Sequence, residues 1–311
     1  MALHLGHLSH GLNYSWPAYC AVGAMQILRE KFDPQAVWRD FADYRVTWVY
    51  MVPTMIHMLL EADDGNSDVS SLRTFMYASA PMPVPLLRRA IARFGRIFTQ
   101  VYTLSEAPVI TTMLHPDEHV EDVGEFGPRL ASIGREILTM ELRLVDDDGR
   151  GVAPGEAGEI AVRSVNNLAY YWNLPEETTK TIVDGWVRTG DVARRAGDGF
   201  LYLVDRKKDI IITGAFNVWP KEVETVIERH PAVAQVAVVG APDEKWGERI
   251  VAFVVCRPGQ AANAEELVAL CREHLADYKK PREIHFIDAM PTTPVGKISR
   301  LALRQRTREA H

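Results

Sequence analysis

Three things are scarce in this sequence: cysteine, an excess of basic residues, and long apolar runs. The three cysteines, Cys20, Cys256 and Cys271, are an odd number among apolar neighbours, which predicts buried, reduced thiols in a cytoplasmic protein. The net charge of -6 is spread over interspersed residues of both signs, so no nucleic-acid partner is expected. No apolar stretch approaches the roughly 18 residues of a membrane-spanning helix, so no transmembrane segment is expected.

Length and composition favour a globular enzyme. With 311 residues and 47% hydrophobic content, the chain is long enough for two domains with sizeable cores. Helix starts and buried strands alternate over roughly the first 110 residues, which predicts αβ units around a parallel sheet. Asp33 and Pro34 mark one such helix start. From Glu141, short alternating strands predict a small β subdomain.

A third pattern begins after Asp205. A helix behind Pro220 is followed by two apolar strands, and Asn263 and Glu266 have the spacing of a capping box at the next helix. These elements predict a compact α+β domain. The sequence therefore predicts an α/β protein with one domain over residues 1–205 and a second over residues 206–311.

Four short segments carry residues suited to chemistry at a shared site. In chain order they are residues 100–106 (QVYTLSE), 186–191 (WVRTGD), 204–214 (VDRKKDIIITG) and 291–298 (PTTPVGKI). Any one of them alone is a weak signal, but their order and spacing agree with one another.

Together, these segments resemble the adenylate-forming enzymes, which comprise acyl-CoA synthetases, the adenylation domains of peptide synthetases, and firefly luciferase. The resemblance runs from about Leu3 to the C-terminus and is closest to the AMP-forming acyl-CoA synthetases. It implies the later part of a large AMP-binding domain, followed by a small, mobile α+β lid. It also implies ATP, Mg²⁺, coenzyme A and a carboxylic acid as ligands.

Lys297 is the candidate catalytic residue. Joining a carboxylate to the α-phosphate of ATP brings two anions together, so catalysis depends on placing a cation between them. Proline and glycine brace Lys297 just ahead of an amphipathic segment. The resemblance implies that this lysine bridges the carboxylate and the α-phosphate. The alternative is a solvated lysine on a surface loop.

Glu106, at the end of a predicted strand, is the candidate Mg²⁺ ligand, since Mg²⁺ takes one or two carboxylates and leaves its other positions to water and phosphate. The resemblance places the Ser105 hydroxyl on the phosphate and the Tyr102 ring against the adenine. Thr103 departs from the family, which usually has glycine there, and its branched side chain would crowd a nucleotide. The alternative for Glu106 is a surface acid after a strand.

Asp191 can accept two hydrogen bonds at once, which suits the two hydroxyls of a ribose. A turn aspartate that caps its own backbone is the alternative. The resemblance assigns the ribose to Asp191 with help from Arg206, and it assigns to Lys208 the hinge between the large domain and the lid. Without the resemblance, Lys207 and Lys208 are a solvated pair.

Coenzyme A needs an aromatic ring, cations for its phosphates, and a narrow backbone channel. The residues that meet these needs are Trp246, Lys280, Arg282, Gly214 and Ala215. Ala215 departs from the family, which usually shows a second glycine. A core tryptophan and a solvated basic cluster are the alternatives.

His10 resembles the family's histidine near the acyl pocket, and Ala80 and Pro81 resemble the segment that lines adenine and acyl group. His4, His7 and His10 form a cluster, but no cysteine or carboxylate completes a metal-ligand set, so no metal is expected there.

The family's phosphate loop, rich in Ser, Thr and Gly and carrying a lysine, occurs nowhere in this sequence. The amides of such a loop cradle the β- and γ-phosphates. A truncated synthetase and a natural short homologue both explain this, and the start in mid-domain favours truncation. The expected function is an acid:CoA ligase for a fatty or aromatic acid, and a truncated chain would be competent only for part of the reaction. The alternatives are a noncatalytic nucleotide or acyl-CoA binder and an adenylation domain that loads a carrier protein.

Overall fold

The computed structural model describes residues 1–5, 12–214, 216–293 and 297–309. His10 and Ala215, both predicted site residues, lie outside the described residues. The chain divides into two compact units. The first unit contains Met1–Thr189 and Ala193–Leu203, and the second contains Gly190–Val192 and Val204–His311. The boundary expected at Asp205/Arg206, with a mobile lid beyond it, stays a prediction.

The described residues form eight α-helices and nineteen strands. The helices are α1 Leu12–Ala21, α2 Pro34–Asp43, α3 Pro53–Glu61, α4 Val84–Phe94, α5 Pro175–Thr181, α6 Pro220–Ile227, α7 Ala264–His274 and α8 Arg300–Glu309. The strands of the first unit up to residue 163 are β1 Ala2–His4, β2 Gln26–Leu28, β3 Trp48–Met51, β4 Thr74–Tyr77, β5 Phe98–Leu104, β6 Ala107–Leu114, β7 Val123–Gly124, β8 Gly127–Pro128, β9 Arg135–Glu136, β10 Glu141–Val145 and β11 Ala157–Arg163. The remaining strands are β12 Ile182–Val183, β13 Trp186–Arg195, β14 Leu201–Arg206, β15 Ile211–Thr213, β16 Phe216–Val218, β17 Val233–Asp243, β18 Gly247–Cys256 and β19 Glu283–Phe286.

A seven-stranded sheet organises the first unit, in the order β2-β1-β3-β4-β5-β6-β9. Its strands from β2 to β5 pair in parallel, and β6 and β9 add antiparallel partners. The Asp33 side chain caps α2 by accepting hydrogen bonds from two backbone amides, as its sequence signal predicts. Aromatic rings fill the core beside this sheet, among them Phe41, Phe75, Phe94 and Phe98. The predicted α/β class is confirmed.

A second sheet follows in the order β10-β11-β13-β12, with β14 paired to β13. Its apolar face contributes Leu144, Ile160 and Val162 to a separate core cluster. The second unit is built on a third sheet, in the order β16-β15-β18-β17 with β19 beside β18. Asn263 and Glu266 form the predicted capping box at the start of α7. Leu303 of α8 is fully buried in a cluster with apolar residues of β17 and β18.

The expectation of three buried thiols was correct for Cys271 alone. The Cys20 side chain is exposed, Cys256 is half-buried, and Cys271 is buried. Burial raises the pKa of Cys271 to about 11. Cys20 lies near the end of α1, where its neighbours Ala18 and Ala21 are also exposed, so apolar neighbours in sequence did not imply burial. Among the described residues, no helix is both long and apolar enough to cross a membrane.

A buried histidine, His119, packs against Tyr77 at the end of β4. The hydroxyl of Tyr77 is 3.1 Å from His119 Nε2, and His119 Nδ1 is 2.8 Å from the carbonyl oxygen of His115. The carbonyl can only accept, so Nδ1 carries the proton and Nε2 accepts from the tyrosine. Burial lowers the pKa of His119, against a smaller opposite effect of its bond to His115. The folded state thus holds His119 neutral.

Ser79 adopts a left-handed backbone conformation directly after β4. Its φ is +73°, a region that residues with a Cβ rarely adopt. Its hydroxyl is 2.7 Å from the hydroxyl of Tyr50, at the end of the neighbouring strand β3. A side-chain hydrogen bond therefore accompanies a strained backbone at the carboxyl edge of the sheet.

We predict that His119 makes stability fall as the pH is lowered. Because its pKa is lower when folded, the unfolded chain takes up more protons below the ordinary histidine pKa of about 6.5. The melting temperature of the wild type should fall more between pH 7.5 and pH 5 than that of His119→Gln. His274→Gln, which changes an exposed histidine, is the control and should keep the wild-type slope. Equal slopes in wild type and His119→Gln would contradict the prediction.

We predict that glycine is tolerated better than alanine at position 79. Both substitutions lose the hydroxyl bond to Tyr50, but only alanine keeps a Cβ at positive φ, so Ser79→Gly should be more stable than Ser79→Ala by about 1 kcal/mol. At Ser70, whose φ is not positive, the order of the two substitutions should reverse. Urea denaturation of the four variants measures both differences. A less stable Gly variant at position 79 would show that the strain is absent.

Candidate functional site

The carboxyl ends of three parallel strands meet at one edge of the first sheet. Because β3, β4 and β5 are neighbours and parallel, Tyr50, the segment after β4 and the segment after Thr103 lie along this edge. In open α/β sheets this is the edge where ligands bind. Ala80 is half-buried and Pro81 is exposed in the turn that leads from β4 to α4. Both predicted residues are thus at the ligand-binding edge.

Tyr102 is largely buried near the end of β5. Its side chain is only 9% exposed and packs in the core cluster that contains Ile133 and Met140. Thr103 lies where the β5–β6 pairing slips its register, and its hydroxyl is 3.4 Å from the carbonyl oxygen of Ala107. Thr103, which departs from the family, therefore contacts the backbone of the hairpin in which it lies. The stacking role of Tyr102 stays a prediction, with little ring surface to support it.

Glu106 lies in the turn between β5 and β6, next to the exposed Ser105. The hydroxyl of Tyr171 donates to Glu106 Oε1 at 2.6 Å, and the amide of Leu168 donates to the Glu106 carbonyl at 2.7 Å. Burial first, and then this bond to Glu106, raise the pKa of Tyr171. A phenol that keeps its proton thus orients the carboxylate.

The surroundings of Glu106 fit Mg²⁺ in one way. Groups of three metal-binding side chains do not occur in the described parts of the chain, so no all-protein cage exists there. Mg²⁺ does not need one, because it is commonly held by one or two carboxylates together with water and phosphate oxygens. Glu106 is a half-buried carboxylate with one oxygen engaged by Tyr171, and it suits that mode of binding.

Three predicted residues come together within the second unit. Arg206 Nε donates to Asp191 Oδ1 at 2.9 Å, and the Asp191 side chain is largely buried. Lys297 is close enough for its charge to interact with both. Burial lowers the pKa of Lys297, Arg206 lowers it further, and Asp191 opposes them. Lys297, a cation with a lowered pKa, therefore lies within electrostatic range of a carboxylate and a guanidinium.

The backbone on both sides of Lys297 is held by short hydrogen bonds. The amide of Thr293 donates to the Lys297 carbonyl at 2.7 Å, and the Lys297 amide lies 3.2 Å from the Thr293 hydroxyl. The amide of Ser299 donates to the carbonyl of Pro291 at 2.8 Å. Lys297 is half-buried. It is therefore not the solvated lysine of the alternative interpretation.

Lys208 is exposed, in a single 3-10 turn over Lys207–Asp209 that follows β14. Nothing about its own side chain distinguishes a hinge from a solvated lysine. Its neighbour Asp209 pairs with Arg304 of α8 at 3.4 Å, and Asp205, three residues before Lys208, is buried. The hinge role of Lys208 stays a prediction.

Part of the predicted coenzyme A set comes together at the edge of the third sheet. The amide of Gly214 donates to the Trp246 carbonyl at 2.6 Å, and a Cβ at Gly214 would lie 3.0 Å from the indole ring. The Arg282 guanidinium lies 5.2 Å from the centre of that ring. Trp246 is half-buried, so it is not a core tryptophan. Lys280 instead forms an ion pair with Asp277 of its own turn.

Sequence reasoning missed several residues that the structure places at these sites. Tyr50 and Tyr171 orient Ser79 and Glu106. Phe216 stacks on Tyr278 at 4.3 Å between ring centres, next to the predicted coenzyme A residues in sequence. Arg300 is ion-paired with Glu224 at the start of α8. Of these residues, only Arg300 could have been found from the sequence, because it follows Lys297 by three residues on an amphipathic segment.

Two family models and several curated proteins match this chain. Residues 2–172 match the model of the AMP-binding enzymes, and residues 222–297 match that of the AMP-binding enzyme C-terminal domain. The medium/long-chain-fatty-acid–CoA ligase FadD8 of Mycobacterium tuberculosis is 43% identical over 96% of this chain and 53% of its own length. A feruloyl-CoA synthase from Amycolatopsis is 40% identical over 91% of this chain and 56% of its own length.

A solved structure extends the agreement to three dimensions. The amide bond synthetase McbA from Marinactinospora thermotolerans superposes with a TM-score of 0.91 at 36% identity, over 98% of this chain and 61% of that one. The chain spans about half the length of the curated relatives it matches. The first family match covers more than half of the chain and the second follows it in sequence, which establishes that the chain belongs to the AMP-binding enzymes.

Proposed function

We propose that the protein is a cytoplasmic, ATP-dependent carboxylic acid:CoA ligase that works through an acyl adenylate. The observation that carries the proposal is the convergence of Lys297, Asp191 and Arg206 within one unit. It supplies a half-buried cation within electrostatic range of a carboxylate suited to a ribose. The substrate is a fatty or aromatic acid, in keeping with the relatives.

The first step joins the acid to AMP. The carboxylate oxygen of the acid attacks the α-phosphorus of ATP, the bond to the β-phosphate oxygen breaks, and pyrophosphate leaves. Lys297 places positive charge between the two anions, where it stabilises the transition state more than the separated reactants. Asp191 accepts hydrogen bonds from the ribose hydroxyls, and Arg206 holds Asp191 in position.

The first unit contributes the remaining groups. Ala80, Pro81 and Tyr102 border the adenine, the Ser105 hydroxyl donates to a phosphate oxygen, and Thr103 limits the space beside them. Glu106, oriented by Tyr171, would hold Mg²⁺, which neutralises phosphate charge when bound. We assign His10 to the acyl pocket on the family resemblance alone.

The second step transfers the acyl group to coenzyme A. The thiolate sulfur attacks the carbonyl carbon of the acyl adenylate, the bond to the phosphate oxygen breaks, and AMP leaves. Gly214 and Ala215 provide the backbone channel, while Trp246, Lys280 and Arg282 take the nucleotide end. We propose that residues 206–311 form a lid that turns about Lys208 and removes Lys297 between the steps.

A noncatalytic nucleotide or acyl-CoA binder is the second candidate. Its support is the set of candidate residues for AMP and coenzyme A, Asp191 and Trp246 among them, which would bind these ligands without turnover.

We predict that the purified chain forms thioester from a synthetic acyl adenylate and coenzyme A faster than from free acid, ATP and coenzyme A. The adenylate already contains the bond between the acid and AMP, so its use does not require a loop that holds the β- and γ-phosphates. Thioester is measured by mass spectrometry over a panel of fatty and aromatic acids. If neither mixture yields thioester above the rate without protein, the ligase proposal fails, and AMP or acyl-CoA binding by calorimetry would then favour the binder.

We predict that Lys297→Ala slows adenylate formation by about 10²–10³-fold, because one transition-state contact of this kind has that value. Thioester formation from the synthetic adenylate should remain close to wild type. Pyrophosphate release measures the first step and thioester the second. Lys180→Ala, which removes an exposed lysine paired with Glu177, is the control and should change neither rate. An equal loss in both steps would contradict a role limited to adenylation.

A further inference from the structure

The start of α8 is fixed by two buried carboxylates of the second unit. Arg300 Nη2 donates to Glu224 Oε1 at 2.8 Å, and Arg300 Nη1 lies 3.6 Å from Asp205 Oδ1. The side chains of Asp205 and Glu224 are each 5% exposed. Buried carboxylates need a partner of opposite charge, and Arg300 is the cation that the two share.

Both carboxylates are also fixed by backbone amides. Asp205 accepts from the amides of Arg206 and Lys221, each at 2.7 Å, and Glu224 accepts from the amide of Val238 at 2.9 Å. Arg300 thus binds groups that are already held in place. Its guanidinium fork can span two carboxylates at once, which the single ammonium of a lysine cannot do.

The cluster of Arg300, Asp205 and Glu224 is linked to the candidate site in two places. One link is through Asp205, and the other is through Lys297. Asp205 directly precedes Arg206, which pairs with Asp191. Lys297 lies three residues before Arg300, and between them the Ser299 amide is bonded to Pro291. The ion pairs of Arg300 with Asp205 and Glu224 therefore fix the position of the segment that contains Lys297 relative to Arg206 and its partner Asp191.

We infer that Arg300 is a positioning residue, which holds Lys297 beside Asp191 and Arg206 by bridging Asp205 and Glu224. Its ion pairs are with Asp205 and Glu224, which are not among the residues assigned to ATP or the acid, and it acts through the backbone between positions 300 and 297. The inference rests on the proposed function for its effect on catalysis, but its structural part is independent of any substrate.

Arg304 is a matched comparison on the same helix. It lies one turn beyond Arg300 and pairs with Asp209 at 3.4 Å. Asp209, unlike Asp205, does not adjoin Arg206. Leu303, between the two arginines, is fully buried and packs α8 on its sheet, so the helix stays in place when either arginine is shortened. Arg300→Lys and Arg304→Lys therefore make the same chemical change at two ion pairs of the same helix.

The ligand-free test is the titration of Lys297. Competitive acetylation with acetic anhydride, read by mass spectrometry over a pH series, gives the pKa of each lysine, with the exposed Lys180 as internal reference. In the wild type, burial and then Arg206 keep the pKa of Lys297 below its ordinary value, against the opposite effect of Asp191. Arg300→Lys should raise the pKa of Lys297, because the ammonium moves away from Arg206 and into solvent. Arg304→Lys should leave it unchanged.

The catalytic test is the rate of each half-reaction. Arg300→Lys should slow adenylate formation by about 10²-fold, the cost of a displacement of roughly 1 Å in an aligned site. Thioester formation from the synthetic adenylate should change little, and Arg304→Lys should resemble the wild type in both steps. Asp205→Asn weakens the same bridge from the other side, and it should reproduce the pattern of Arg300→Lys even if that variant folds poorly.

The possible outcomes separate the positioning role of Arg300 from the proposed ligase activity. An unchanged Lys297 titration in Arg300→Lys and Asp205→Asn, or an equal shift in Arg304→Lys, overturns the positioning role. A shifted titration in both, with no change in the Arg304 variant, supports it even when the wild type makes no thioester. Absence of turnover in the wild type counts against the proposed ligase alone, so the two failures are distinguishable.

Discussion

Parallel pairing of β3, β4 and β5 is the constraint on which the first unit depends. It aligns the carboxyl ends of strands that are far apart in sequence, and it requires apolar cover on the sheet, which the helices and the aromatic cluster of Phe41, Phe75 and Phe98 supply. The polar residues that follow β4 and β5, Ser79 and Glu106 among them, then lie along the same edge of the sheet. The site at this edge is thus a product of strand register.

The sequence predicted the fold better than the orientation of its side chains. Helix starts at Asp33 and Asn263 have local causes, since a side-chain cap satisfies amides two or three residues away, and both were predicted correctly. Tyr102 shows where such reasoning stops. Its place at a strand end was evident, but which side of the hairpin its ring faces depends on packing against Ile133 and Met140, which lie in the loops before and after β9.

Long-range polar contacts were also beyond the sequence. Tyr50 and Ser79 are 29 residues apart, Tyr171 and Glu106 are 65 apart, and Arg300 and Glu224 are 76 apart. No periodic pattern links such pairs, because each depends on where the chain returns after several elements. The four motifs are short, continuous stretches of sequence, and they pointed correctly to the family. The residues that orient the side chains of these motifs lie far away in sequence, so they could not be found in the same way.

The turn at Glu106 has a consequence for local opening of the structure. Its carboxylate accepts from Tyr171 and its carbonyl accepts from the amide of Leu168, so one residue anchors a distant loop by both side chain and backbone. Segments that share such contacts open and close as a cooperative unit rather than separately. The loop at 168–171 and the turn after β5 should therefore exchange their amide hydrogens together, and a ligand that orders one of them protects the other.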